Sequence, residues 1–190
     1  VRDAGITVTP VEAVTGCPEL LDGRVKTLHP AIHAGLLARR DRPDDLAAVA
    51  AHGFQLIDVV AVNLYPFARA ATNPDTPVAA LIEEIDIGGP SLLRAAAKNF
   101  TGPLVVVSPD DYPAVLEALD APGGPSLELR FALARKVFAH TAAYDTTIAS
   151  ALDAINVRDG RCVREPAATG AALPSHLTFG LVKVRDLRYG

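Results

Sequence analysis

Leu56-Ile57-Asp58-Val59-Val60-Ala61-Val62-Asn63-Leu64 is the run that decides the fold. It is short, nearly all apolar and β-branched at its centre, which is how a strand buried on both faces of a parallel sheet reads. A second such run, Leu104-Val105-Val106-Val107, is bounded by Gly102-Pro103 and Ser108-Pro109. Helical patterns are expected around them at residues 30–40, 44–52, 77–84, 89–99, 110–119 and 126–152, the last broken near 140–143. Residues 6–11 read as a further short strand. Strands alternating with helices predict an α/β domain, a parallel sheet with helices on both faces. After Asn156 the pattern weakens. Residues 160–175 are loop-like, and 177–184 read as a strand that begins another domain.

The composition narrows the function. Of 190 residues 49% are hydrophobic, enough for one sizeable core. With 21% charged residues and a net charge of -4, the chain lacks the basic face that nucleic-acid binding needs. Cys17 and Cys162, its two cysteines, form neither a disulfide framework nor a metal spacing, which fits a reducing, cytoplasmic setting. No apolar run reaches membrane-spanning length. The chain has no Met, and residues 1–5 read as the end of a helix capped by Gly5, so it is read as a fragment cut at both ends.

The segment richest in chemistry runs from Glu84 to Asn99 and contains Asp86-Ile87-Gly88-Gly89-Pro90 and Arg94-Ala95-Ala96-Ala97-Lys98-Asn99. Gly88 and Gly89 allow close backbone approach, and Pro90 suits a helix start, where free N–H groups and the positive dipole end attract anions. Asp86 could instead be only a helix cap, and Lys98 only a compensating charge at the helix end. A helix from Gly89 to Lys98 spans roughly 14 Å, so the two cannot meet as simple helix neighbours.

Leu21-Asp22-Gly23-Arg24-Val25-Lys26-Thr27-Leu28-His29-Pro30 forms a second constellation. In extended backbone Arg24 and Lys26 point the same way, and with the Thr27 hydroxyl they suit a phosphate or carbonyl. A solvated basic loop is the equal alternative. His29 and His33 lie four apart, but without further ligands packing is the better reading than metal. Asn63 and Tyr65 follow the strand at its carboxyl end, where open α/β sheets bind ligands, or else they belong to an ordinary turn.

Taken in order, the stretches 21–30, 63–67, 85–90 and 94–99 resemble the IMP cyclohydrolase domain of the bifunctional purine-biosynthesis enzyme that also carries AICAR transformylase. The tail Leu187-Arg188-Tyr189-Gly190 resembles the start of the transformylase half. The resemblance implies a methylglyoxal-synthase-like fold, a cyclohydrolase domain over residues 1–156, and a linker with the start of the second domain over 157–190. It implies closure of 5-formamido-imidazole-4-carboxamide ribotide to IMP with loss of water, with no cofactor or metal. For the transformylase half it implies 10-formyltetrahydrofolate as co-substrate, and for the whole a homodimer. By the same resemblance Arg24, Val25, Lys26, Thr27, Val62, Asn63, Asp86, Ile87 and Gly88 bind the nucleotide, while Lys98, Asp86, Lys26 and Tyr65 surround the reacting groups. The family's glycine- and threonine-rich phosphate loop would precede Val1, so this stretch alone is expected to be inactive. Chemically, Asp86 suits acceptance of the amide proton and a lysine suits polarisation of the formyl oxygen. Neighbouring lysines in a closed pocket are expected to disfavour their protonated forms. The rival reading is a regulatory domain of the same fold that binds phosphorylated metabolites without turnover.

Overall fold

The computed structural model describes residues 1–164 together with 184, 185 and 188. The chain divides into two compact units, Val1–Pro66 with Ile85–Thr141, and Phe67–Glu84 with Ala142–Gly190.

The first unit is built on two parallel strands, β1 (Val59–Ala61) and β2 (Leu104–Val106). Val59 pairs with Leu104, Val60 with Val105 and Ala61 with Val106. Two further bonds lengthen the ladder: Leu104 N–H donates to the Asp58 carbonyl at 2.8 Å, and Val62 N–H to the Val106 carbonyl at 3.1 Å. β2 is buried throughout, as its apolar run predicts. β1 is not: Val60 faces the core, while Val59, on the opposite face of the pleat, is 45% exposed.

Helix α6 (Gly88–Lys98) packs on both strands and on α2 (Pro30–Leu37). Its buried face is Gly89, Leu93, Ala95, Ala96 and Ala97, and the alanines let the helix lie close to the sheet. Leu36, Leu93, Ala96, Val105 and Val137 are the centre of the core. Gly35 on α2 is required there, because a Cβ would collide with the Gln55 carbonyl and press on the Ile57 side chain. Asn99, buried beyond the end of α6, donates to the Leu36 and Ala38 carbonyls at 2.8 and 2.9 Å, so it satisfies the frayed end of α2.

Several expectations shift. Residues 6–10 form no strand among the described residues. Ile6 and Val8 are exposed, and Pro10 instead opens α1 (Val11–Thr15). The second helix, α3, spans Pro43–Ala51, with Gly53 left-handed just beyond it. A 3-10 turn at Pro109–Asp111 leads into α7 (Tyr112–Asp120). The long helix α8 (Leu127–Leu152) is unbroken; residues 140–143 contain neither Gly nor Pro, and the Thr141 hydroxyl bonds back to the Phe138 carbonyl. Arg2–Ala4 with left-handed Gly5 is the capped helical turn expected at the front.

The second unit holds α4 (Phe67–Thr72), α5 (Val78–Glu83), α8 from Ala142 and an antiparallel hairpin, β3 (Ile155–Arg158) with β4 (Arg161–Arg164). Phe67 and Leu81 are fully buried, and Phe67 meets the Tyr144 ring edge-on at 6.3 Å. The hairpin turns on Asp159-Gly160, both at positive φ, a strong signal that the weakening pattern after Asn156 concealed. Within the loop expected at 160–175, Gly160 belongs to the hairpin turn and residues 161–164 are strand β4; residues 165–175 lie outside the described residues, as does the strand expected at 177–184 apart from Val184.

Candidate functional site

The basic loop is a tight turn. Leu20 and Val25 exchange both backbone hydrogen bonds, at 3.0 and 3.2 Å, across Leu21, Asp22 and Gly23, all three at positive φ. Leu21 at φ 55 is an uncommon conformation for a bulky side chain, of the kind that functional loops retain at a cost of roughly 1–3 kcal/mol. One step outward from that pair Glu19 faces Lys26, and the Lys26 ammonium meets the Glu19 Oε2 at 2.7 Å.

The Glu19 hydrogen bond, and then its charge, hold the Lys26 pKa above the ordinary lysine value; Glu12 and Tyr65 add smaller contributions in the same direction. Lys26 is therefore a committed ammonium, the reverse of the expectation that crowded lysines lose their protons. The same interaction places the Tyr65 phenol in the neighbourhood of Lys26.

Thr27 turns toward α6. A Cβ on Gly88 would stand 2.8 Å from the Thr27 Oγ1, so the hydroxyl occupies the space that Gly88 leaves open. Next to it, the half-buried Asp86 accepts a hydrogen bond from the Gly89 N–H at 2.8 Å, which caps the helix from two residues before its start. Gly89 is fixed by the same carboxylate, since a Cβ there would run into it. Ile87 is 57% exposed and Tyr65 59%. Val62 and Asn63 lie just past the end of β1. Arg24 and Val25 sit on the arm of the turn that leads to Lys26 and Thr27. The structure thus sets the Tyr65 phenol within electrostatic reach of Lys26, Thr27 against Gly88, and Asp86 against Gly89.

Lys98 stands apart. It ends α6, about 15 Å from the helix start at 1.5 Å per residue. There it lines a cleft of about 520 Å³ with Arg94 and Arg135, over Phe100, Phe131 and Phe138. None of Arg24, Lys26, Thr27, Asn63, Tyr65 or Asp86 borders that cleft.

His29 Nδ1 accepts from the Ala31 N–H and so caps α2, in line with a packing role. Among the described residues no three His, Cys, Asp or Glu side chains gather as metal ligands. No helix among them is long and apolar enough to cross a membrane. Glu19 escaped the sequence reading. Its signal was Asp22-Gly23 flanked by Leu20 and Val25, a turn that sets residues 19 and 26 opposite each other.

Comparison with known proteins agrees with this architecture. An MGS-like domain matches residues 1–91, and the AICARFT/IMPCHase bienzyme family matches residues 96–190. The bifunctional purine biosynthesis protein PurH of Chloroflexus aurantiacus is 54% identical over 100% of this chain and 34% of its own length. That of Lacticaseibacillus casei is 54% identical over 98% of the chain and 33% of its own. The chain thus spans about a third of the length of the curated relatives it matches. The crystal structure of ForH superposes with a TM-score of 0.67 at 39% identity, covering 80% of this chain and 78% of that one. With the family match covering residues 96–190 of 190, this chain belongs to the AICARFT/IMPCHase bienzyme family.

Proposed function

We propose that this chain is the IMP cyclohydrolase part of a bifunctional purine-biosynthesis enzyme, acting in the cytoplasm as a homodimer. In this reading it closes 5-formamido-imidazole-4-carboxamide ribotide to IMP. Residues 1–156 carry that activity, and the formyl transfer from 10-formyltetrahydrofolate belongs to the other half of the whole protein. The observation that carries the reading is one juxtaposition: Lys26, paired with Glu19, on a turn whose next residue, Thr27, packs on Gly88 at the Asp86-capped start of α6.

The reaction needs what that end of the unit offers. The carboxamide nitrogen attacks the formyl carbon, and the formyl oxygen leaves as water. It gains two protons on the way, one from the attacking amide nitrogen and one from the formamido nitrogen. Asp86, oriented by Gly89, accepts the amide proton. Lys26, kept charged by Glu19, stabilises the developing oxyanion and protonates it. Arg24, Thr27 and the N–H groups at the start of α6 hold the ribotide's anionic and carbonyl groups.

Asp86→Asn is the test. Asparagine caps helices as well as aspartate does, so thermal stability stays near that of the parent, while kcat for ring closure falls at least about 100-fold, the usual loss with a general base. Near-normal formation of IMP, followed by its ultraviolet absorbance, would overturn the assignment. Tight ribotide binding without turnover in the parent protein favours the regulatory reading instead.

A further inference from the structure

The turn that sets Lys26 against Glu19 is itself a reactive structure. Leu21, Asp22 and Gly23 are exposed and stand at positive φ, at 55°, 53° and 90°. One pair, Leu20 with Val25, closes the turn around residues 21–24. Among the described residues, neither the Asp22 carboxylate nor the Gly23 N–H has a hydrogen-bond partner. Gly23 has no side chain to shield its nitrogen. On its open side lies the Glu19 carboxylate, with Oε1 3.5 Å from where a Cβ would stand. Glu19 pairs with Lys26 through Oε2, so Oε1 stands beside Gly23 as a proton acceptor.

We infer that Asp22 is a site of spontaneous covalent change, in which its side chain cyclises onto the Gly23 nitrogen and reopens as an isoaspartyl linkage that uncouples Lys26 from Glu19. The Gly23 nitrogen attacks Cγ of the protonated Asp22 carboxyl. A C–N bond forms, a Cγ–O bond breaks, and the hydroxyl leaves as water with the proton given up by the nitrogen. Water then opens the imide ring at either carbonyl. Opening at Cγ restores Asp22. Opening at the backbone carbonyl leaves the main chain running through Cβ and Cγ, one methylene longer, with the former backbone carbonyl as a free carboxylate.

The longer chain gives Leu21 a way out of its left-handed strain. It also lengthens a loop held at one pair, so residues 19 and 26 no longer stand opposite each other, and Lys26 loses its contact at 2.7 Å. The covalent change stands without any functional reading; its effect on ring closure rests on the proposed cyclohydrolase reading. Asp159-Gly160 is an internal control. It has the same residues, the same left-handed conformation and the same exposure. There Arg158 pairs directly with Arg161, and the ladder runs on to Ile155 and Arg164. The side chain needs local opening to swing onto the next nitrogen, and opening is easier at one pair than along a ladder.

The test is incubation of the protein at its full natural length, at neutral pH, in water enriched in the heavy oxygen isotope, followed by peptide mapping. Each passage through the imide leaves a heavy oxygen at that residue. Relative to the rates in denaturant, which correct for local sequence, label is expected at Asp22 at least about 5-fold faster than at Asp159. Equal rates in the folded protein, or a faster Asp159, overturn the inference. Asp22→Asn keeps a residue type that tolerates the left-handed region, and is expected to close the same ring with loss of ammonia. An amide that persists there overturns the inference as well. On ageing, the parent's kcat/KM for ring closure is expected to fall in proportion to the isoaspartyl fraction at residue 22. Asp22→Glu, whose longer side chain does not form this ring, is expected to keep its activity. Isoaspartyl accumulation with undiminished kcat/KM overturns the uncoupling. An inactive parent that still takes label at Asp22 overturns the cyclohydrolase reading and leaves the covalent change standing.

Discussion

The two ends of α6 show two ways in which a helix can serve a site. At its start, everything is fixed by close approach. Gly88 has no side chain because Thr27 occupies that space, and Gly89 has none because Asp86 does. At its finish, position is set by burial and by one polar anchor. Asn99 is tied to two carbonyls of the α2 end, while Lys98, one residue before it, stands in an open cleft. The start is therefore sensitive to a single added methyl group. The finish is sensitive to loss of its anchor and indifferent to small changes at the surface.

Asn99→Leu tests the second half of that contrast and carries the largest expected effect. It removes both donors from the buried Leu36 and Ala38 carbonyls, at a cost of about 3 kcal/mol in unfolding free energy measured by denaturant titration. A cost below about 1 kcal/mol would mean that the α2 end finds other partners, and the anchor would lose its meaning. The change leaves the start of α6 untouched, so whatever protein remains folded should keep the parent's KM.

Gly88→Ala probes the first half. Alanine is the better helix former by about 1 kcal/mol, and this offsets much of the strain as the added Cβ displaces Thr27. Stability then changes little, while KM for the ribotide rises about 10-fold, a loss of about 1.4 kcal/mol in binding. Thr27→Ala alone should raise KM by a similar factor. The double variant should be no worse than either single one, because both remove the same hydroxyl from its place. Additive losses would show that Gly88 and Thr27 act separately.

Much of this contrast was legible in the residues, and the reason differs from place to place. β2 announced itself because a strand covered on both faces must be apolar at every position. β1 read the same way but keeps Val59 exposed, since a sequence records hydrophobicity and not which face finds a cover. The Gly88-Gly89-Pro90 helix start was readable from its residue types alone. The separation of Lys98 from Asp86 followed from helix rise. What was hidden depended on pairing: Ile6 and Val8 alternate like a strand but meet no neighbouring strand among the described residues, and Glu19 drew no reading of its own because only the turn sets it against Lys26. The Asp159-Gly160 hairpin was available as a local signal and was masked by the low hydrophobicity around it.

Glu19→Gln carries the smallest effect and refines the picture of the helix start. In the parent, Glu19 holds Lys26 charged to higher pH than an ordinary lysine. A folded-state pKa raised above the unfolded value contributes stability that is complete below the unfolded value and is lost as pH rises through the folded one. The difference in thermal midpoint between parent and Glu19→Gln should therefore be constant through neutral pH and shrink as the pH rises into the alkaline range. Because the pair is exposed, salt should shrink it as well. Activity gives the sharper readout. If Lys26 acts as the proton donor, the alkaline limb of the kcat profile moves to lower pH in Glu19→Gln. An alkaline limb that does not move would assign the proton to another group.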